Sequence, residues 1–300
     1  MQVFITGGSG QTGPAIVAEL RAAGHTVTAL ARSDASARVL EALGTELVRG
    51  SLEDLDVLTA AAAAADGVIH MAYGGNFADP EPMMRRDVGA ITALGAALVG
   101  TDKPLVITSG TLVMPVGREG TEDDEPDRHG LAPFRIAGED ACLSFAALGV
   151  RACVVRLAPT VHGPDDHGFV PMLIGTARKT GVSAYIGDGV NRWPAVHRSD
   201  AAQLFRLAME NGHPGSIYHA VAETVPFKAI AETIGRGLNF PTASLTAEAA
   251  ATHFASPFMA MIYGADVPAS GTLTGQRLGW APAGPSLLEV LEGGDYLDER

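Results

Sequence analysis

Three glycines near the start of the chain have the spacing that could hold a phosphate group. They follow the apolar segment QVFIT (2–6) and open a helical pattern. The turn contains Gly7, Gly10, Gln11, Thr12 and Gly13. Glycines let the backbone approach a ligand closely, and the free N–H groups of a helix N-terminus attract anions. GxxGxxG spacing between a strand and a helix predicts a bound dinucleotide whose pyrophosphate contacts these five residues. The alternative is a flexible turn without a ligand.

The end of the second apolar strand indicates which dinucleotide binds. TVTAL (26–30) is followed by Arg32 and Ser33 at the place where an NAD(H) site usually has a carboxylate for the ribose 2′-hydroxyl. A guanidinium can instead pair with a 2′-phosphate, and the Ser33 hydroxyl can donate to it. We therefore predict NADP(H), the alternative being a solvated arginine in a loop. Further cofactor contacts are predicted after the third and fourth strands, at Ser51, Leu52, Met71 and Ala72.

Alternating strand and helix patterns would position these turns. The apolar strands are 2–6, 26–30, 45–48, 67–72, 104–109 and 151–157, and the helical patterns are 14–24, 33–43, 54–65, 82–99 and 134–148. Strands this apolar, each followed by a helix, are typical of a parallel sheet covered on both faces. Right-handed crossovers then give an α/β, Rossmann-type, doubly wound domain over residues 1–158.

The pattern is less regular over residues 159–300. The segments 163–168 and 187–193 are predicted to be loops, and helices are predicted at 199–211, 227–237, 246–253 and 286–292. We interpret this part mostly as a smaller substrate-binding lobe, interleaved with the last elements of the sheet. It would close over the carboxyl edge of the strands.

The composition excludes several classes of function. The net charge of −13 repels polyanions, and the basic residues are scattered apart from Arg85 and Arg86, which argues against a nucleic-acid partner. No apolar run reaches the length of about 18 residues that a membrane span needs. The first strand begins at once, leaving no room for a signal peptide, and the two cysteines fit a reducing compartment. We expect a cytoplasmic protein.

The glycine spacing, strand rhythm and length resemble the extended and atypical branches of the short-chain dehydrogenase/reductase superfamily, in particular the NAD(P)-dependent epimerase/dehydratase-like members. The similarity runs from residue 1 to about 220 and returns at LGWAP (278–282). The family has a catalytic tetrad of Asn, Ser or Thr, Tyr and Lys. By this resemblance Ser109 in VITSGTLV matches the Ser/Thr position, with Thr111 nearby, and Asp87 stands in place of the Asn.

The tyrosine and lysine of the tetrad are replaced. Counting back from Glu139, Arg135 takes the lysine position and Leu131 the tyrosine position, whereas a shift of one residue would place Phe134 and Gly138 there. Neither Leu nor Phe can transfer a proton. Arg135 could hydrogen-bond the ribose hydroxyls, but it stays protonated and cannot act as a base. The cofactor-binding residues are therefore present while the proton donor is absent or relocated.

Two residues are candidates for a relocated acid. Tyr73 follows the fourth strand, at the edge where the nicotinamide would lie, and its alternative role is packing. His129 lies in a polar loop just before the lost tyrosine, and its alternative is a surface histidine. The other titratable residues considered are His70, His162, Asp165, Asp166, His167 and His197. We interpret His70 as a hydrogen-bonded core histidine, His197 as structural, and the 162–167 group as solvated loop residues without a metal.

The favoured interpretation is an NADP(H)-dependent oxidoreductase that reduces an activated C=N, C=C or C=O bond in a small organic substrate. Reduction of a ketone leaves an alkoxide that needs a proton, whereas reduction of an iminium gives a neutral amine and needs none. The sequence therefore predicts that iminium and activated alkene substrates outperform plain ketones. Two alternatives are a non-redox epimerase or dehydratase with bound cofactor, and an NADP(H)-sensing binding protein. The resemblance also implies a homodimer packed through helices 82–99 and 134–148.

Overall fold

The structure, a computed structural model, describes residues 1–74, 79–294 and 296–297. The N-terminal elements are β1 Gln2–Thr6, α1 Gly13–Ala22, β2 Thr26–Ala31, α2 Asp34–Ala42, β3 Glu46–Arg49, α3 Leu55–Ala64, β4 Gly67–His70, α4 Pro80–Ala96, β5 Pro104–Gly110, α5 Ile136–Ser144 and β6 Arg151–Leu157. The remaining elements are β7 Thr160–His162, α6 Phe169–Thr180, β8 Ser183–Ile186, β9 Arg192–His197, α7 Arg198–Asn211, β10 Ile217–Ala220, β11 Glu223–Pro226, α8 Phe227–Leu238, β12 Thr242–Leu245, α9 Ala247–His253, α10 Pro257–Gly264, α11 Thr272–Leu278 and α12 Leu287–Glu292.

A parallel sheet is the centre of the fold. Within the described residues it has seven strands in the order β10-β6-β5-β4-β1-β2-β3, and every neighbouring pair is parallel. The predicted α/β, Rossmann-type fold is confirmed. The chain order reverses between β1 and β4, and ligands of such sheets bind outside the carboxyl ends of the strands at this switch point. The glycine turn and Tyr73 follow strands at this edge, and Ser109 lies at the carboxyl end of β5.

Helices cover both faces of the sheet. On one face, Ile16 of α1, Leu40 of α2 and Phe205 of α7 pack against the strands. On the other, Leu58 of α3 and Leu94 of α4 pack against them, together with α5. Burial on both sides explains why the sheet strands are continuously apolar in the sequence.

The C-terminal part contains elements that the sequence does not predict. Strands β7, β9 and β11 form one small sheet, and β8 pairs with β12. The predicted loop 187–193 is wrong at its end, because β9 begins at Arg192. Helix α6 carries Pro171 and Gly175, which read as helix breakers, yet a proline in the first turn costs no internal hydrogen bond. Strands of three or four residues are too short to show a period.

Two further boundaries differ from the sequence expectation. Of the predicted helix 134–148, only the α5 portion is α-helical, and 3₁₀ turns flank it at 133–135 and 145–148. The fourth strand ends at His70 rather than at residue 72, so Met71 and Ala72 lie in the connection that follows. Among the described residues, no helix is both long and apolar enough to cross a membrane.

Candidate active site

The glycine turn after β1 is closed on one side and open on the other. Gly7 has φ +77°, and a Cβ there would lie 2.6 Å from the backbone nitrogen of Ala72. A Cβ at Gly13 would lie 2.4 Å from the carbonyl oxygen of Gly8. A Cβ at Gly10 would meet only the Gly7 carbonyl oxygen, at 3.2 Å. The tight contacts require glycine at two of the predicted positions, and the open side at Gly10 leaves room for a pyrophosphate beside the N-terminus of α1.

A cleft of about 260 Å³ lies between this turn and the carboxyl end of β6. It is lined by Gln11, Thr12, Leu157, Ala158, Pro159, Val161, Gly168, Phe169 and Met172. Its lining is uncharged and mostly apolar, which suits the flat ring of a nicotinamide. Larger hollows of about 440 and 420 Å³ lie beside α1 and after β10, away from the glycine turn. We place the functional site at the smaller cleft because Gln11 and Thr12 of the turn line it.

A buried carboxylate ties the loop after β7 to the glycine turn. Asp166 accepts hydrogen bonds from the Gln11 amide at 2.6 Å, the Gly168 backbone N–H at 2.6 Å and the Tyr296 hydroxyl at 2.7 Å. Burial raises the pKa of this carboxyl, although the hydrogen bonds oppose the shift. The expectation of a solvated Asp166 is wrong, since the side chain anchors the loop. Asp165 and His167 are exposed as expected.

His162 is also buried rather than solvated. It ends β7 beside His197, with ring centroids 5.4 Å apart, and burial lowers the pKa of His162 to about 4. His197 caps the N-terminus of α7 by accepting from the Ser199 backbone N–H, as expected for a structural histidine. Among the described residues, no group of three or more His, Cys, Asp or Glu could hold a metal.

Basic side chains stand where the adenosine end of a dinucleotide would lie. Arg32 follows β2 and is exposed. Arg49 ends the neighbouring strand β3 and pairs with exposed Asp34 at 3.0 Å. The Ser33 hydroxyl caps α2, where it accepts from the Ser36 backbone N–H at 3.2 Å. Sequence reasoning missed Arg49, although a charged residue that ends the strand beside β2 was a usable signal.

The other predicted cofactor contacts lie at the same carboxyl edge. The Ser51 hydroxyl follows β3 and donates to Asp54 at 2.9 Å, and Leu52 packs against the core under α3. Met71 packs against the core under α1, while Ala72 is the residue that fits against Gly7. Met71 and Ala72 follow β4, which is next to β1, whereas Ser51 and Leu52 follow β3, two strands away from β1 on the other side.

A chain of polar side chains runs beneath the edge. Thr6 Oγ1 lies 2.7 Å from His70 Nδ1, and His70 Nε2 lies 3.0 Å from Asp87 Oδ1. Asp87 Oδ2 accepts from Arg135 at 3.4 Å, and Arg135 also donates to the Thr108 carbonyl oxygen. His70 is thus the hydrogen-bonded core histidine that was expected. The chain holds the Arg135 guanidinium in one place.

The segment before α5 carries Arg135 and Gly138, the two residues that the alternative alignments place at the lysine position. Arg135 reaches Asp87, whereas a Cβ at Gly138 would lie 2.7 Å from Asp87 Oδ2, so glycine there makes room for the carboxylate. Glu139 holds α5 in place through a buried ion pair with Arg156 at 2.6 Å. Leu131 and Phe134 carry no hydroxyl and are partly buried. Leu131 packs against the apolar core of the C-terminal part, and Phe134 packs against a small cluster that includes Val113 and Ile136.

Tyr73 lies directly under Arg135. The guanidinium carbon is 3.6 Å from the centroid of the Tyr73 ring, which is a close cation–π contact. Burial raises the pKa of the Tyr73 phenol, and Arg135 opposes that shift. His129, the other candidate acid, is exposed in the turn 127–130, where its backbone N–H donates to Asp127.

Two hydroxyls at the carboxyl end of β5 are buried without a hydrogen-bond partner among the described residues. Ser109 is 5% exposed and Thr111 is 1% exposed. A buried hydroxyl left unpaired costs about 1–3 kcal/mol. Ser109 is the second-to-last residue of the strand whose Thr108 carbonyl binds Arg135, and Thr111 directly follows that strand, so an incoming ligand could supply the missing partners here. The glycine turn, the apolar cleft and these hydroxyls fit a nicotinamide dinucleotide.

The fold and this edge define an extended short-chain dehydrogenase/reductase. Residues 3–220 match the family model described as the NAD dependent epimerase/dehydratase family, and the chain belongs to that family. It is 47% identical over 298 residues to an uncharacterized protein of Schizosaccharomyces pombe, covering 99% of this chain and 100% of the relative. It is 30% identical over 226 residues to 4-hydroxy-2-methyl-3-oxo-4-farnesyl-3,4-dihydroquinoline-1-oxide ketoreductase of Stigmatella aurantiaca, covering 73% of this chain and 67% of the relative.

A solved structure agrees with this assignment of the fold. The dTDP-glucose 4,6-dehydratase DesIV of Streptomyces venezuelae, which has NAD bound, superposes with a TM-score of 0.79 at 18% identity. The alignment covers 98% of this chain and 96% of that one. At this identity the likeness concerns the fold. The family to which the chain belongs is described as NAD dependent, and the Stigmatella aurantiaca relative is named as a ketoreductase.

Proposed function

We propose that the protein is an NADP(H)-dependent reductase of an activated C=O, C=N or C=C bond in a small organic substrate. One observation carries the proposal: the Ser109 and Thr111 hydroxyls are buried and unpartnered among the described residues, beside Arg135 and across from the glycine turn. Such hydroxyls can donate to the oxygen or nitrogen of a substrate bound over a nicotinamide. The relative named as a ketoreductase supports the same chemistry.

The preference for NADP(H) rests on charge at the end of β2 and β3. Arg32 is exposed and stands near the position where NAD(H) sites usually have a carboxylate. Arg49 adds a second guanidinium on the neighbouring strand. A 2′-phosphate could pair with both, although Asp34 competes for Arg49. The Ser33 hydroxyl, which caps α2, would contribute less than the two arginines.

The chain's own residues would hold the cofactor by distinct contacts. The backbone at Gly10 and the start of α1 would bind the pyrophosphate, and Arg135 would donate to the nicotinamide ribose hydroxyls. Gln11 and Thr12 would border the ring in the apolar cleft. When bound in its reduced form, the dinucleotide supplies a hydride.

The proposal is tested with matched substrates. Purified protein is given NADPH or NADH with a ketone, a cyclic imine and an enone of the same carbon skeleton, and loss of the reduced cofactor is followed by absorbance. We expect NADPH-dependent turnover that falls at least tenfold in Ser109→Ala. Conversion of a sugar nucleotide without net cofactor oxidation would indicate the epimerase or dehydratase instead. Tight NADPH binding without turnover on any substrate would favour the sensor.

We also propose that the protein acts as a cytoplasmic homodimer packed through α4 and α5. The support is the family resemblance together with small side chains on the outer side of these helices, such as Ala96 and Ala137. Light scattering at micromolar concentration should give about twice the 30.9 kDa mass of the chain. Ala137→Glu should shift that mass towards the monomer, and a monomeric parent protein would contradict the proposal.

A further inference from the structure

We propose that Tyr73, with the Arg135 guanidinium on its ring, is the proton donor for reduction of a ketone. The pair would replace the phenol and lysine that the family carries on the segment before α5. This inference rests on the proposed reductase function and names both its acid and its favoured substrate class. Its basis is the 3.6 Å contact between the guanidinium carbon and the Tyr73 ring centroid.

The topology places Tyr73 where a donor is needed. It comes three residues after His70, the last residue of β4, and β4 lies between β1 and β5 in the sheet. The glycine turn follows β1, and Ser109 is the second-to-last residue of β5. Because the carboxyl ends of parallel strands share one edge, Tyr73 stands between the cofactor-binding turn and the unpartnered hydroxyls.

Arg135 is held firmly enough to act on the phenol. Asp87 and the Thr108 carbonyl oxygen both accept from its guanidinium, and His70 in turn supports Asp87. A lysine in the family's position is flexible, whereas this planar cation is fixed over the ring. A fixed positive charge stabilises the phenolate that remains after proton donation.

The charges around Tyr73 suit a donor at neutral pH. Burial raises the pKa of the phenol, so the hydroxyl is protonated before reaction. Arg135 and Arg86 favour the phenolate, and Asp87 opposes it. The hydroxyl oxygen is shielded from solvent, which keeps competing water from the donor. An alkoxide is a far stronger base than a phenolate, so transfer from Tyr73 is downhill.

The step balances in atoms and electrons. The ketone carbon receives a hydride from the reduced nicotinamide dinucleotide, and the C=O π pair becomes a lone pair on oxygen. That oxygen takes the Tyr73 proton, which gives an alcohol and a phenolate beside Arg135. After the alcohol leaves, water that enters the vacated site protonates the phenolate before the next turnover. The sequence alone favours iminium substrates because it shows no proton donor at the family's position. The contact between Arg135 and Tyr73 instead favours ketones.

Tyr73→Phe is the direct test, because it removes the hydroxyl and keeps the ring under the guanidinium. We expect kcat for a ketone to fall about 100-fold, in the usual range for loss of a general acid. The KM for NADPH and the rate with a preformed iminium should stay within about twofold, since neither needs this proton. Tyr185→Phe is the matched control, because Lys228 lies over its ring at 5.5 Å on the other lobe.

Two results would overturn the inference, and they are distinguishable. If Tyr73→Phe reduces the ketone as fast as the parent protein, the assignment of the donor falls and the proposed reductase stands. If the parent protein binds NADPH but reduces no ketone, imine or enone, the proposed function falls with it.

A spectroscopic readout tests the pair without turnover. Ultraviolet titration of the cofactor-free protein, with Tyr73→Phe subtracted, gives the pKa of this phenol. Arg135→Met should raise that pKa by about one unit or more, since it removes a cation at van der Waals distance. An unchanged pKa in a folded Arg135→Met protein would contradict the coupling between the two residues.

Discussion

The glycine turn is built differently from the polar edge beside it, where Thr6, His70, Asp87 and Arg135 form a hydrogen-bonded chain. The turn consists of backbone from seven consecutive residues, Gly7 to Gly13, with glycine required where a Cβ would strike Ala72 or Gly8. The edge consists of side chains from β1, β4, α4 and the 3₁₀ turn before α5, together with the Thr108 backbone carbonyl of β5. A binding surface made of backbone loses its ligand when an added side chain fills the space. A surface made of side chains loses its function when one of the interacting groups is removed.

This difference bears on how each region can change. The turn keeps the family's pattern because each of its atoms depends on its neighbours in the chain. By the family resemblance, Leu131 and Arg135 stand where the family has its tyrosine and lysine, and the edge contains a continuous polar chain from Thr6 to Arg135. Function at the edge therefore depends on which groups meet, and it can survive when a phenol moves to another segment.

The largest expected effect is the loss of NADPH binding when the glycine turn is changed. Gly10→Val should abolish NADPH binding, because the branched side chain would occupy the open side where the pyrophosphate lies. The fold should survive, since a Cβ at Gly10 meets only one carbonyl oxygen at 3.2 Å. Calorimetry measures the affinity, and thermal unfolding checks the fold.

Gly13→Val is the matched comparison. A Cβ there would lie 2.4 Å from the Gly8 carbonyl oxygen, so we expect this variant to lose stability as well as binding. Unchanged NADPH affinity in Gly10→Val would show that the phosphates bind elsewhere. Equal stability losses in the two variants would show that the turn is not open on one side.

The second-largest expected effect is on the preference for NADPH over NADH, which depends on charges at the adenosine end of the site. Arg32→Glu should weaken NADPH binding by about ten- to hundredfold, in line with about 1–3 kcal/mol for a charge-assisted contact, and leave NADH binding the same or stronger. Arg49→Glu should act in the same direction but less, because Asp34 already engages Arg49. Both are measured as ratios of dissociation constants.

Lys179→Glu is the control for net charge, since Lys179 is exposed at the end of α6. It should change neither ratio by more than about twofold at moderate salt, because exposed charges beyond about 10 Å are screened. Equal affinity of the parent protein for NADPH and NADH would refute the role of Arg32.

Sequence reasoning predicts the turn well because its information is local. The glycine spacing, the preceding strand and the following helix all lie within residues 2–22, and the structure places them as expected. The parallel sheet is likewise predicted because its strands are buried on both faces. The three- and four-residue strands of the C-terminal part are missed, since pairing with distant segments rather than local pattern defines them.

The edge could be predicted only in part. Asp87, Ser109 and Arg135 were found by alignment to a tetrad, and Tyr73 by its place after a strand. Their contacts were not predictable, because Tyr73 meets Arg135 only through the order of strands in the sheet. Asp166 was misjudged for the same reason: a carboxylate in a polar loop looks solvated until its partners Gln11 and Tyr296 are known.

The smallest expected effect comes from restoring the family's phenol in its usual place. Leu131→Tyr should give no measurable gain in kcat/KM for a ketone. The Leu131 side chain packs against the apolar core of the C-terminal part, so a hydroxyl placed there enters an apolar cluster without a partner.

The cation that should assist a new phenol is also engaged. Arg135 lies over Tyr73 and is bound to Asp87, so the pKa of a tyrosine at position 131 would stay near or above its ordinary value of about 10. The test compares ketone reduction by Leu131→Tyr, by Tyr73→Phe and by the double variant. We expect the double variant to be as slow as Tyr73→Phe. Recovery of turnover in the double variant would show that the edge accepts a phenol from either segment, and that the contact between Tyr73 and Arg135 does not fix where the proton comes from.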